Sequence, residues 1–306
     1  MSTYASKPLT FSDAADVSKM SVNDDMQLRL HGVHHTARAT WKLKETVTFY
    51  RDILGLPLVH CITARGWGRE GHPDFLHFFF DSGCGGLIAF FYYLGVEKPT
   101  DMRPADEVLF RAAHTSWAVE SREELLQWKE VLESRGVDVS PVSYHELIES
   151  IYFADPNGYP LEVSYQIRDI CDHDGVDADL SLSAALALES GQNEGNKIAD
   201  VQQIWQHKGQ LLSDSYDDAG PQEGVLELFV LDVPEFRSIV DFALENPDCE
   251  VDNSKDGYFR IRSSKVLVMN RRGLRLKPPV WYGVCTGGLR GKILEFGRDE
   301  LHIGAL

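Results

Sequence analysis

Two stretches of the chain, one beginning near Leu28 and the other near Phe110, run through the same succession of patterns. Each has a strand, an amphipathic helix closed by glycine, and then three short apolar strands. This internal repeat constrains the fold more than any other feature. A single four-stranded sheet with one helix can bury only one of its faces, so a unit of this kind needs a second layer or a second copy. Paired βαβββ modules in an α+β fold are the expectation.

In the first copy the strand reads Leu28 to Ala39. A helix from about Leu43 places Val47, Tyr50 and Leu54 on one face, and Gly55 stands where a left-handed cap would end it. Strands are expected at Leu56 to Ile62, Phe75 to Phe80 and Leu87 to Leu94, with glycine-rich turns at Gly66, Gly68 and Gly83 to Gly86. In the second copy a strand from Phe110 to Val119 leads to Ser121, with Glu124 three residues on, the spacing of a capping box. Leu125, Trp128 and Leu132 share a helical face before Gly136. Strands follow near Val137 to Val142, Ser150 to Phe153 and Tyr159 to Tyr165, the last two joined by a tight turn at Asp155-Pro156-Asn157-Gly158. The modules span about 28–95 and 108–167.

Outside the repeat, residues 1–27 lack apolar periodicity and read as a mobile leader. Residues 168–224 read as an acidic, helical connector, with helices near Leu182 to Glu189 and Asp200 to Leu212. Residues 225–306 show a strand, a helix at Pro234 to Glu245 and further strands, an α+β extension with the outline of a decayed third module. The 30 Lys and Arg against 47 Asp and Glu give a net charge of -17, which repels nucleic acid and anionic membrane. Five scattered cysteines without a CxxC pair, and no leading signal sequence, set a reduced cytoplasmic location as the expectation. Asp172, Asp174, Asp177 and Asp179 miss the glycine and glutamate offsets of a calcium loop and read as a solvated acidic stretch.

The residues His34-His35, Phe49-Tyr50-Arg51-Asp52-Ile53-Leu54-Gly55-Leu56, Ala113-His114-Thr115-Ser116-Trp117-Ala118-Val119, and Ser150 through Asp155-Pro156-Asn157-Gly158 to Leu161-Glu162 resemble the vicinal oxygen chelate proteins. The likeness covers roughly residues 28 to 166. It implies a metal held by His35, His114 and Glu162 in a cleft formed by the two modules. Strand alternation lets only one of His34 and His35 face that cleft; the spacing to Phe49-Tyr50 favours His35, with His34 as the alternative. A four-ligand site of the glyoxalase type would have a further carboxylate on the last strand of the first module, where this chain reads Leu87-Ile88-Ala89-Phe90-Phe91. Two imidazoles and one carboxylate leave open positions, the arrangement non-haem Fe(II) enzymes use to hold substrate and dioxygen together.

Within the family, Tyr152 matches the tyrosine that ring-cleaving extradiol dioxygenases place beside the metal-bound substrate. His145 lies about two residues from the register of their acid–base histidine. His77 is a candidate substrate contact by residue type alone. The resemblance therefore implies a Fe(II)-dependent dioxygenase that opens a small aromatic diol with dioxygen, acting as a homo-oligomer. The same ligand set also serves isomerases, lyases and thiol transferases that use Mn(II), Zn(II) or Ni(II), and a protein that only binds a small aromatic ligand is a further reading.

Overall fold

The computed structural model describes residues 33–65, 73–98, 112–190, 198, 200–216 and 222–306. The leader, residues 28–32 of the first expected strand, the turn containing Gly66 and Gly68, and the Phe110 end of the fifth strand lie outside them. The chain divides into two compact units, the first taking in the modules through Ser143 and again Leu147–Asp169, the second Tyr144–Glu146 and Ile170–Leu306. Among the described residues no helix is long and apolar enough to cross a membrane.

In the first unit both repeats fold as βαβββ. The first runs β1 (His35–Ala39), α1 (Leu43–Val47), β2 (Leu58–Ala64), β3 (Phe75–Asp81) and β4 (Leu87–Tyr93). The second runs β5 (Thr115–Val119), α2 (Arg122–Ser134), β6 (Ser143–His145), β7 (Ile148–Ala154) and β8 (Pro160–Gln166). Their sheets have the same order, β1-β4-β3-β2 and β5-β8-β7-β6, with the first strand parallel to the last, and β2–β3, β3–β4 and β7–β8 antiparallel. α1 loosens into a π-helical turn over Thr48–Ile53, where Leu54 N–H reaches the Phe49 carbonyl at 2.9 Å, and Gly55 at φ 73° ends it. At Ser121 the hydroxyl accepts from Glu124 N–H while Glu124 reaches back to Glu120 N–H, a complete capping box.

Side-chain alternation gives each sheet two faces. One face of each lies against its own helix, and these join in a single core containing Phe49, Tyr50, Phe78, Phe80, Phe90, Leu125, Leu132, Ile151, Leu161 and Val163. The β7–β8 turn ties that core together. Asp155 is 4% exposed. Its carboxylate accepts from the backbone N–H groups of Asn157 (2.8 Å) and Tyr159 (2.9 Å) and from the Tyr50 hydroxyl (3.2 Å). Asn157 in turn donates to Thr46 and accepts from Thr40, at 2.9 and 2.8 Å. The turn of the second module is thereby fastened to the helix of the first.

Three departures from the sequence reading bear on the fold. β6 is at Ser143–His145 rather than 137–142, because Pro141 lacks a donor and Ser140 holds this segment to Tyr152 through its own backbone and hydroxyl. The first connector helix starts at Asp172, ten residues earlier than expected; Asp174 accepts the Cys171 N–H and acidic residues suit a helix N-terminus. The C-terminal segment does not repeat the module. There β9 (Leu226–Leu231) pairs directly with β11 (Tyr258–Ser263), with β10 (Glu250–Lys255) on the outer side of β11 and β13 (Leu289–Arg290) on the outer side of β9, whereas in both modules the last strand lies between the first and third.

The second unit has its own core, including Leu228, Phe229, Ile239, Tyr258, Ile261, Trp281 and Ile303. The connector helices α3 (Asp172–Ser190) and α4 (Val201–Tyr216) belong to it. Fully buried Lys208 on α4 donates to Asp177, to Ser181 (2.9 Å) and to the Thr286 carbonyl (2.7 Å). The next residue, Gly209, lets the helix touch the strand backbone, since a Cβ there would overlap Leu289 main-chain atoms.

Two outcomes follow for stability. Asp155→Ala strands the Tyr50 hydroxyl and two turn amides and costs about 2–4 kcal/mol in chemical denaturation of the first unit. Gly209→Ala forces backbone apart and destabilises the second unit by at least about 2 kcal/mol; a melt that keeps its wild-type midpoint would contradict the close approach described.

Candidate metal and substrate site

The faces turned away from the helices hold the chemistry. In the second module His114 immediately precedes β5, Glu162 is on β8 and Tyr152 on β7, and the ladder sets Tyr152 directly opposite Glu162. His114 Nε2 lies 2.9 Å from Glu162 Oε2. The Glu162 residue is only 3% exposed, and among the described residues its Oε1 has no hydrogen-bond partner. A buried, partnerless carboxylate oxygen beside an imidazole nitrogen suits a divalent cation, because the cation would supply the missing partner and both atoms are ordinary donors to such ions.

Around the pair runs a line of hydroxyls. Ser116 and Ser164 are 2.7 Å apart at their Oγ atoms, and Ser164 and Ser150 3.0 Å. Burial pushes the Glu162 carboxyl up, but the hydroxyls of Ser150, Tyr152 and Ser164 and the His114 imidazole outweigh this and hold the acid below its ordinary value. Tyr152 moves the other way, raised to about 12 by burial and then by the neighbouring Glu162 charge.

The corresponding face of the first module is aromatic. His35 sits at the edge beside His34, with Nδ1 atoms 2.9 Å apart, and its ring is 5.8 Å from Phe79 and 6.4 Å from His77. His77 is buried, stacked on Phe91 at 3.7 Å, and 3.1 Å from the Phe90 carbonyl through Nδ1. Its pKa is lowered, chiefly by burial, with His35 and His60 adding to the effect. His60 on β2 packs against the other side of this cluster, 5.6 Å from Phe79.

The structure thus brings together His114, Glu162 and Tyr152, and places His35 with His77 instead. Among the described residues no three His, Cys, Asp or Glu side chains gather closely enough to hold a metal. The expected three-ligand set is not assembled in this single chain, because His35 turns along its own sheet toward His34 and Phe79. His145 ends β6, half-buried, in the segment grouped with the second unit.

Laying one module on the other shows what the sequence reading missed. Aligning His35-Thr36 with His114-Thr115, the ladders equate Ala37, His77, Phe79, Ala89 and Phe91 with Ser116, Ser150, Tyr152, Glu162 and Ser164. The counterpart of Glu162 is therefore the fully buried Ala89. The three serines went unremarked as single residues. Their signal was the alternation Ser150-x-Tyr152 and Glu162-x-Ser164 on either side of a well-marked turn.

Among known structures, similarity is found to an integron cassette protein from the mobile metagenome of Halifax Harbour sewage outfall (29% identity over 44% of this chain and 99% of that one, TM-score 0.33). Others are a glyoxylase/bleomycin resistance protein/dioxygenase domain from Frankia sp. (24%, 45% and 99%, TM-score 0.34) and the fosfomycin resistance protein FosX from Listeria monocytogenes (18%, 45% and 94%, TM-score 0.32). No curated protein matches the chain. Residues 32–163 match the family described as Glyoxalase/Bleomycin resistance protein/Dioxygenase superfamily, over the same span as the two modules and the His114–Glu162 pair. That match takes in under half of the chain and places the likeness to this superfamily in the two-module domain.

Proposed function

We propose that the two-module domain is a divalent-metal enzyme, and that its reaction is Fe(II)-dependent, extradiol-type cleavage of a small aromatic diol by dioxygen. The observation that carries this reading is the grouping on one sheet face of the Glu162 carboxylate with its unpartnered oxygen, the His114 imidazole 2.9 Å away, and the Tyr152 phenol opposite. His35 is the third ligand by resemblance. When bound, Fe(II) supplies Lewis acidity toward the two diol oxygens and electrons for dioxygen.

The chain's own groups have definable tasks. Glu162 and His114 would hold the metal. Tyr152, with its pKa raised to about 12, keeps its proton at neutral pH and can donate a hydrogen bond to a substrate oxygen. Phe79, Phe91 and His77 offer a largely apolar aromatic surface suited to packing against a ring. Ala89 at the counterpart of Glu162 provides no second carboxylate as a fourth ligand, which favours open coordination over a saturated isomerase-type site. All five cysteines are unpaired, in keeping with a reducing, cytoplasmic setting in which Fe(II) persists.

Anaerobic loading with Fe(II), followed by a panel of catechols and air, is expected to give oxygen uptake and a coloured ring-opened product. His114→Ala and Glu162→Gln should abolish both and lower bound iron, and His35→Ala decides whether that residue joins them. Iron-loaded protein that consumes no oxygen with any diol overturns the dioxygenase reading; turnover of a thiol adduct with Ni(II) or Zn(II) would assign an isomerase or transferase, and ligand binding that survives metal removal a binding protein.

For Tyr152 the expectation is a drop of about 10²-fold in kcat on change to Phe, the usual scale for a lost proton-handling group. In metal-free protein its folded value of about 12 lies above the unfolded value of about 10. The unfolded chain therefore gives up this proton first. Folding stability should decline as pH rises from about 10 to about 12, and Tyr152→Phe should flatten that part of the profile in denaturant titrations.

A further inference from the structure

We infer that Ser150, Ser164 and Ser116 are positioning residues, a hydroxyl chain that fixes the Glu162 carboxylate so that one oxygen faces His114 and the other stays open to a cation. This rests on the metal reading above and adds to it the residues that make the carboxylate a ligand.

The argument begins with what these positions would otherwise hold. Strand interiors favour β-branched and aromatic side chains, and Ser150 is fully buried in the middle of β7. A buried hydroxyl needs a partner, and the partner here is another side chain, Ser164, at 3.0 Å. Ser164 is linked at 2.7 Å to Ser116, which is exposed. The line therefore crosses three adjacent strands, β5, β8 and β7, from the row of Glu162 into the next one. Ser116 is the ladder partner of Glu162, and Ser164 lies two residues beyond it on the same face.

The first module acts as an internal control. Where Glu162 is replaced by Ala89, the three serine positions carry Ala37, His77 and Phe91. The scaffold accepts apolar and aromatic groups at every one of these places, so the fold itself does not require hydroxyls. They occur on the face that has the carboxylate and are absent from the face that lacks it. The hydroxyls bond one another, so none of them closes on Oε1. The two carboxylate oxygens are inequivalent: Oε2 lies 2.9 Å from His114 Nε2, and Oε1 has no hydrogen-bond partner among the described residues.

The test uses the full chain, stripped of metal, with Co(II) as the probe read by its visible absorption and by calorimetry. Ser150→Ala and Ser164→Ala are expected to weaken Co(II) binding about 10- to 100-fold, the range found when groups behind a metal ligand are removed, and to alter the Co(II) band. Ser164→Thr, which keeps the hydroxyl, should restore both. A purely structural role would move the melting temperature of the metal-free protein and leave the Co(II) band unchanged. Wild-type affinity and band in both alanine variants, alongside loss of binding in Glu162→Gln, overturn the positioning role while the metal site stands; so does a loss in Ser164→Ala that Ser164→Thr fails to restore. If wild-type protein takes up no Co(II), or Glu162→Gln binds it equally well, the metal reading itself has failed and the inference falls with it.

Discussion

The carboxylate of Asp155 carries more of the first unit's organisation than any other single group. It is buried, yet it accepts two turn amides and the Tyr50 hydroxyl. The amides set the tight turn between β7 and β8, with Gly158 in the left-handed region at φ 88°. Because side chains alternate with a period of two, a slip of one residue in that turn would send Glu162 to the helix-packed face and Val163 to the other. The opposition of Tyr152 and Glu162 is therefore set by a group that lies between them in the chain, three residues after the first and seven before the second, and takes no part in the site. The bond to Tyr50, reinforced by Asn157 with Thr40 and Thr46, places the same turn against the other module's helix. One interaction thus joins register within a module to packing between modules.

On that common frame the two sheets carry opposite chemistry. Both repeats keep His-Thr at the start of the first strand, a strand order of 1-4-3-2 and an apolar helix-facing side. On the outward side, one has Ala89, Phe79, Phe91 and His77, and the other Glu162, Tyr152, Ser164 and Ser150. Core packing depends on the shared face, so the outward face could diverge without loss of the fold. A polar, acid-bearing face and an aromatic face in one domain are what the proposed diol reading would draw on: polar groups for the oxygens and apolar area for the ring.

Much of this was legible before the structure, and the reasons differ from residue to residue. Leu125 and Leu132 at helical spacing, the Ser121 capping box and the Asp155–Gly158 turn each rest on local rules, and each element was found close to its expected place. β6 was misplaced because Val137, Val139 and Val142 give a strand-like pattern that Pro141 prevents from pairing regularly. The C-terminal segment imitated a third module in order of elements only. Pairing of β9 with β11 is a long-range choice with no marker in the sequence. The serine chain was hidden for a similar reason: Ser116, Ser150 and Ser164 are far apart in sequence and acquire meaning only when three strands are laid side by side.

The state of Glu162 also bears on how stability and function are divided. Leaving Oε1 buried without a hydrogen bond costs about 1–3 kcal/mol relative to a satisfied group, while the His114 contact and the neighbouring hydroxyls keep the acid ionised despite its burial. A sheet built for stability alone would resolve this as the first module does, with Ala89 and an aromatic layer. The cost is tolerable because the large apolar core lies on the opposite face and does not involve these residues. Separation of the two faces lets the domain hold a carboxylate with one unpartnered oxygen, open to a positively charged ligand, without placing that unsatisfied oxygen inside the packing that keeps the domain folded.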